Sequence, residues 1–334
     1  MFQISKDKSV QIKGIVILMM IFLHLFNKDH TDLCTNLIYL GDVPFARWLS
    51  NACGPVPFFI LLSGYGLAYT HKKGGLTAHN QFKRILKLYI HYWVVLAVFL
   101  IIGSFLYEDK YPGSIERMIV NFLGWKTDYN YEMWFLFPYA MIALTSKYII
   151  RVIETLGQIS SVLISVVIYF IASFIISKYH NSLLSNNQFL NWLIVYFQFL
   201  YPFTIGACFC LSKYKTTCML PSWLVYIVMI SLVVLVATFN LPGIYVLYVP
   251  IMVFLFNQLS FPKILDQVLT KLGKQSMLMW MIHTWFCYYL FQDEIYSLKY
   301  PIIIFIVVVL ISYFSSLFFS LITTKLIKQT RMNL

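Results

Sequence analysis

Two histidines stand inside long apolar stretches of this 334-residue chain, where an ionisable side chain is costly and marks a functional candidate. His24 follows Lys13 by eleven residues. Eleven helical residues turn through about 1,100° and rise about 16 Å, which brings the two side chains within about 20° of one face. This face would carry an ammonium at the inner mouth of the membrane and an imidazole beyond its middle. A histidine that only bonds a neighbouring helix is the alternative.

The second histidine, His283, follows Ser276 by seven residues, so the two share a helix face. An imidazole has a reference pKa of about 6.5, which suits general base catalysis, although packing in the core explains a single histidine as well.

Glu132 stands at the outer end of another apolar stretch. There its carboxylate can orient a histidine or bind a sugar hydroxyl.

Five cations lie in residues 71–87 and fit either contact with anionic lipid or a cradle for phosphate groups. They are Lys72, Lys73, Lys83, Arg84 and Lys87.

Two aromatic residues stand at positions where they could contact a substrate. Tyr65 lies among Ser63, Gly64 and Gly66, small residues that allow close helix contact, and Trp134 opens the apolar stretch beside Glu132, as expected at a membrane interface.

The elements that carry these residues are indicated by composition. Hydrophobic residues make up 60% of the chain and charged residues 11%, whereas a soluble domain carries about 25% charged residues. Alternating patterns of the β-barrel kind are absent, so we predict an all-α, polytopic membrane protein of about ten transmembrane helices. The predicted spans are 12–28, 52–70, 88–107, 133–150, 160–177, 190–211, 221–239, 244–259, 276–291 and 300–324.

The distribution of charge predicts the topology. With the N-terminus inside, inner segments hold 18 of the 25 Lys and Arg residues but only 3 of the 13 Asp and Glu residues. This positive-inside asymmetry places both termini in the cytoplasm of a multi-pass plasma-membrane protein. The net charge of +12 is then a topology signal, and nucleic acid is excluded as a partner.

No further domain is indicated, so residues 1–334 form a single transmembrane domain with short cytoplasmic tails at 1–11 and 325–334. Two amphipathic segments, Ser114–Trp125 on the outer side and Lys263–Lys274 on the inner side, are predicted to be short packing helices. Cys34 and Cys53 both fall outside, where they either pair or remain free thiols.

Five short motifs occur in an order that resembles the membrane-bound acyltransferase-3 family over residues 10–290. They are Lys13 with His24, Phe58–Tyr65 ("FFxxxSGY"), Lys83–Lys87 ("KRxxK"), Trp134–Leu136 ("WFL") and Leu272–His283 ("LGKxS…H"). The chain departs from the family pattern in four places. Lys13 and Lys87 replace arginine, Tyr89-Ile90-His91 stands where proline is usual, and Trp280 replaces tyrosine.

The resemblance implies transfer of an acyl group, usually acetyl, from cytoplasmic acyl-CoA to a hydroxyl of an extracytoplasmic or capsular polysaccharide. It implies that His24 is functional, and we predict that His24 acts as the general base, with an acyl-histidine intermediate as the alternative route. We predict that Glu132 and His283 are also catalytic. Tyr65 and Trp134 would bind substrate, while Lys13, Lys72, Lys73, Lys83, Arg84 and Lys87 would bind the donor.

The same resemblance implies no permanently bound cofactor and no metal. Acetyl-CoA or another acyl-CoA is a substrate, and the other expected partners are the cell-surface glycan, membrane lipid and glycan-assembly proteins. Ten helices and a polar path also fit an exporter or flippase for glycans or lipid-linked sugars, although the paired broken helices of many transporters are absent from the sequence.

Overall fold

The computed structural model describes residues 3–27, 30–212 and 220–329, and these fold almost entirely into helices. Each apolar stretch of the sequence forms one helix, because a helix pairs its own backbone groups where no water can. The α-helices are α1 (Lys6–Phe26), α2 (Phe45–Ser50), α3 (Pro55–Lys72), α4 (Ala78–Leu106), α5 (Ile115–Phe122), α6 (Leu136–Leu156), α7 (Gln158–Tyr179), α8 (Gln188–Leu211), α9 (Ser222–Phe239), α10 (Tyr245–Gln258), α11 (Lys263–Thr284), α12 (Gln292–Tyr296) and α13 (Pro301–Gln329).

Shorter elements occur between the helices. Strands β1 (Tyr39–Leu40) and β2 (Val43–Pro44) form one antiparallel pair. Turns of π-helix follow α7 and α11, at His180–Leu184 and Trp285–Tyr289, and 3-10 turns occur at Thr31–Leu33, Tyr131–Met133 and Pro242–Ile244.

The predicted all-α membrane fold is confirmed. In the described part of the chain, eight helical segments are long and apolar enough to cross a membrane. They contain α1, α3, α4, α6, α7, α8, α9 and α13. The other two predicted spans also form helices, but α10 has only 14 residues and α11 carries charged residues through its first half.

Two predicted boundaries are wrong, and one short helix is confirmed. Helix α1 begins at Lys6 and not at the predicted residue 12, so Lys13 lies about two turns inside the helix. The segment Lys263–Lys274 is the first half of α11, since no proline stops the helix there. The outer packing helix exists as α5, and Ser114 caps it by accepting a hydrogen bond from the backbone N–H of Arg117 at 3.2 Å.

The chain divides into two compact units. The first consists of Met1–Ile12, Gly54–Phe82 and Phe137–Gln267. Its main contact is between α3 and α8, where a Cβ on Gly64 would overlap the backbone of Phe203 and one on Gly206 would overlap that of Leu61. Glycine therefore lets the two backbones touch, as the small residues of α3 predicted.

The second unit consists of Lys13–Cys53, Lys83–Leu136 and Val268–Leu334. Here Gly14 of α1 lies directly against the backbone of Leu269 on α11. Further along both helices His24 meets His283, so α1 and α11 run in the same direction. Parallel packing of these two helices brings the two histidines of the sequence analysis together.

Cys34 and Cys53 do not pair, and both are free thiols in this structure. Burial raises the pKa of the Cys34 thiol to about 11. That thiol is therefore neutral near pH 7 and a poor nucleophile.

Candidate active site

The centre of the candidate site is a hydrogen bond between the rings of His24 and His283. His24 Nδ1 lies 2.7 Å from His283 Nε2, and the two rings stack with their centroids 5.0 Å apart. His283 is completely buried, whereas His24 as a whole residue retains some accessible surface. His24 is therefore the more accessible member of the pair.

The partners of His283 determine where the protons of the pair lie. His283 Nδ1 is 3.0 Å from the carbonyl oxygen of Met279 and 2.9 Å from that of Trp280. Carbonyl oxygens only accept hydrogen bonds, so His283 Nδ1 carries a proton, and in the neutral ring Nε2 carries a lone pair. His24 must then donate through Nδ1–H, which leaves the lone pair of His24 on Nε2. That nitrogen is the basic atom of the site.

The end of α1 that bears His24 is held by side-chain hydroxyls. The last carbonyl groups of a helix have no partner within it, so they need donors from elsewhere. Three consecutive carbonyls receive them here, which fixes the position of the His24 ring. Tyr288 donates to the carbonyl of His24, Tyr296 to that of Leu25 at 3.0 Å, and Ser50 and Thr31 to that of Phe26 at 3.0 and 2.6 Å.

A second polar network surrounds Glu132. Its carboxylate accepts a 2.6 Å hydrogen bond from the Tyr289 hydroxyl, and its backbone carbonyl accepts one from Trp280 Nε1 at 3.2 Å. The Asn130 side-chain amide fits its neighbours when its nitrogen faces Glu132. In this orientation Asn130 donates to the Glu132 carboxylate at 3.3 Å and hydrogen-bonds Thr284, the residue after His283. Glu132 thus supports the His283 segment through these partners and has no direct hydrogen bond to either histidine in the described structure.

The predicted donor-binding cations occupy both units. In the second unit, Lys13 lies close enough to Arg84 for the two charges to repel each other, and Lys83, Arg84 and Lys87 follow one another on α4. Arg84 and Lys87 are exposed. Neither Lys13 nor Arg84 forms an ion pair with a carboxylate in the described ranges, so both charges are available to an anion.

In the first unit, Lys72 and Lys73 end α3 and are both exposed. Lys72 Nζ donates to the carbonyl of Cys210 at 2.9 Å, in the last turn of α8, a favourable place for a cation. Lys73 Nζ lies 5.8 Å from the ring centre of Tyr69. Both lysines therefore already have contacts within their own unit.

The two predicted substrate-binding aromatics have different surroundings. The Tyr65 hydroxyl accepts a 3.0 Å hydrogen bond from the backbone N–H of Ile4, so it anchors the N-terminal segment in the first unit. Trp134 lies 5.9 Å from Phe135, ring centre to ring centre, and Phe135 stacks on Trp280 at 4.0 Å. Through this stack the segment with Trp134 packs on α11 one turn before His283.

Sequence analysis missed three residues that support the site: Tyr288, Tyr289 and Asn130. The two tyrosines are consecutive in an apolar stretch shortly after His283. Buried tyrosine hydroxyls usually have a hydrogen-bond partner, so this pair was the available signal. Asn130 gave no comparable signal, because an isolated asparagine in a loop has many ordinary roles.

Comparison with known families identifies the domain that carries these residues. A family model described as "Acyltransferase domain", of the acyltransferase-3 type, matches residues 11–325. The match includes both histidines, Glu132 and all six predicted cations. Comparison with curated proteins gives no match, and comparison with solved structures gives none either.

Proposed function

Because this chain belongs to the acyltransferase-3 family, we propose that His24 is the general base of an acyl transfer across the membrane. The family and the apolar helices make the protein a multi-pass membrane acyltransferase. We propose cytoplasmic acyl-CoA as donor, with acetyl or another short acyl group, and a hydroxyl of an extracytoplasmic or capsular polysaccharide as acceptor. Both termini would be cytoplasmic in the plasma membrane.

The observation that carries the proposal is the proton arrangement of the histidine pair. In this arrangement His24 Nε2 has a lone pair free to accept a proton, while His24 Nδ1–H donates to His283. His283 in turn donates to two backbone carbonyls, which hold its ring in place. A base oriented in this way needs no rearrangement before it accepts a proton.

In the proposed reaction the acceptor hydroxyl loses its proton to His24 Nε2 while its oxygen attacks the thioester carbonyl. The new C–O bond forms and the C–S bond breaks. The proton on His24 then passes to the departing thiolate, which leaves as the thiol. During the step, the His24 imidazolium keeps its Nδ1–H bond to the neutral His283 Nε2, so the buried charge has an acceptor next to it.

The cations fit the donor in this proposal. The nucleotide part of acyl-CoA is multiply anionic. Lys83, Arg84 and Lys87 lie in a segment that the charge distribution predicts to be cytoplasmic, and Lys13 lies at the inner end of the first predicted span. Lys13 shares the α1 helix with His24 about 16 Å away, so one helix links the phosphate-binding end to the reacting end. Lys72 and Lys73 would add charge at the same side of the membrane.

The test compares His24→Gln with the wild type. Glutamine keeps a donor for His283 but cannot take up a proton at neutral pH, so we expect transfer to fall by about 100- to 10,000-fold. The measurement is transfer of labelled acetyl groups from acetyl-CoA to surface polysaccharide in membranes that contain the protein.

The matched control is His79→Gln, which makes the same change at an exposed position and should retain full activity. Equal transfer by His24→Gln and wild type, at equal protein levels, would remove His24 from the mechanism. Loss of the polysaccharide itself from the surface, and not only of its acyl groups, would indicate export and contradict acyl transfer as the activity.

A further inference from the structure

A polar cleft of about 540 Å³ lies in the second unit among α4, α11 and α13, apart from the histidine pair. Its volume is within the range of sites for small ligands, about 300–1,000 Å³. Three lysines, Lys87, Lys274 and Lys328, contribute to its wall, one from each helix. The remaining lining residues are His91, Gln275, Met277, Leu278, Ser320, Thr324 and Ile327.

The charge of this cleft is not neutralised. None of its lining residues is acidic. In the part of the chain that the structure describes, Lys87, Lys274 and Lys328 form no ion pair with a carboxylate, and all three are exposed. Three lysines from separate helices on the wall of one cleft would stabilise an anion bound there.

A buried histidine in the cleft gives a second, independent observation. His91 is 94% buried, because only 6% of its surface is exposed. Its Nδ1 donates to the carbonyl of Lys87 at 2.6 Å. The other ring nitrogen, Nε2, makes no hydrogen bond within the described ranges, although the ring lines the cleft. A ring nitrogen without a protein hydrogen bond, on a residue that lines the cleft, is available to a polar ligand.

We propose that this cleft binds a phosphate ester, with the three lysines around the phosphate and the hydroxyl, amide and imidazole groups bonding hydroxyls of the same ligand. Basic pockets between transmembrane helices on the cytoplasmic side commonly hold anionic lipid head groups. Lys87, Lys274 and Lys328 all lie in segments predicted to be cytoplasmic. The ligand is therefore a phospholipid head group or a soluble organophosphate. Lys87 also belongs to the donor-binding cations proposed above, so the variants below change only Lys274 and Lys328, which the donor proposal does not use.

The experiment measures binding to the purified full-length protein in two arms. The first arm uses phosphatidylcholine nanodiscs with or without phosphatidylglycerol, and retention of phosphatidylglycerol is measured by native mass spectrometry. The second arm adds adenosine 3′,5′-bisphosphate and follows the thermal unfolding midpoint. Binding in the first arm alone identifies a lipid head group, and binding in the second alone identifies a soluble phosphate.

The variants compare lysines inside and outside the cleft. The double variant Lys274→Gln/Lys328→Gln should bind at least about tenfold more weakly, since it loses two charge-assisted contacts. Lys271→Gln/Lys325→Gln removes the same charge from the same two helices at exposed positions outside the cleft and should bind normally. Lys274→Arg/Lys328→Arg keeps the charge and should retain binding, which separates ligand loss from misfolding.

The proposal is overturned by an equal loss of affinity in the two glutamine double variants, because the effect would then come from overall charge. Absence of binding in both arms by correctly folded wild-type protein would also overturn it.

Discussion

Glycine allows close helix contact in both units, between α3 and α8 in the first and between α1 and α11 in the second. The two contacts differ in the side chains that they bring together. In both, a glycine allows one helix backbone to touch the other, at Gly206 against Leu61 and at Gly14 against Leu269. The first contact continues into apolar packing. The second continues to the hydrogen bond between His24 and His283. Close helix contact is thus a general packing device here, and in the second unit it also brings two histidines into hydrogen-bond contact.

The largest effect on the α1–α11 contact is expected from substitution of His283, which we infer to be a positioning residue for His24. In His283→Leu the donor Nδ1–H of His24 loses its acceptor, so we expect kcat to fall by about 10- to 100-fold, the effect of losing a hydrogen bond to a charged group. KM for acyl-CoA should not change. Steady-state kinetics in membranes measure both values.

The conservative variant His283→Gln separates positioning from folding. Its side-chain carbonyl can accept the hydrogen bond from His24, so part of the lost kcat should return. If His283→Gln is no more active than His283→Leu while both fold normally, the proton arrangement assigned to the pair is wrong.

A pair of glycine variants addresses the comparison directly. Gly14→Ala and Gly206→Ala each place a methyl group against backbone, which should destabilise the protein by about 1–3 kcal/mol. Only Gly14→Ala should also lower kcat per folded molecule, by about tenfold, because it pushes α1 away from α11. Thermal unfolding and activity of the folded fraction provide the two readouts.

Gly66→Ala is the matched control for these variants. A Cβ on Gly66 of α3 would meet nothing within 4 Å, so stability and activity should be unchanged or slightly improved. Equal losses of kcat in Gly14→Ala and Gly206→Ala would contradict the idea that the α1–α11 contact has a special role in positioning.

The smallest effect is expected at Glu132, which supports His283 only through its neighbours. Glu132→Ala leaves the Tyr289 hydroxyl without its acceptor, and kcat should fall by about fivefold, equivalent to about 1 kcal/mol. Glu116→Ala, an exposed change on α5, is the control. A loss as large as that of His24→Gln would mean instead that Glu132 contacts the substrate or the base directly.

The helices were predictable because hydropathy and backbone hydrogen bonding are local properties. Each predicted span became a helix, and the helical spacing in Ser114–Trp125 predicted α5. The start of α1 was missed because Lys6 and Lys8 are polar, and α11 was predicted in two parts because its hydrophobicity changes midway. Hydropathy follows burial in lipid, whereas a helix continues for as long as its backbone bonds can.

The candidate site was only partly predictable. His24, His283 and Glu132 were found because ionisable groups are rare in apolar stretches. The contact between the two histidines was not predicted, nor were the roles of Tyr288, Tyr289 and Asn130. The sequence also gave no reason to place Lys274 and Lys328 in one cleft with Lys87 and His91.

The sequence alone determined that this protein is an all-α membrane protein and that Lys13 and His24 share one helix face, since both follow from the composition and period of a single segment. Tertiary structure decided which nitrogen of His24 is basic. That assignment depends on a partner 259 residues away along the chain, and on Gly14 allowing α1 to approach α11. Contacts between distant segments follow from packing, which no local pattern encodes.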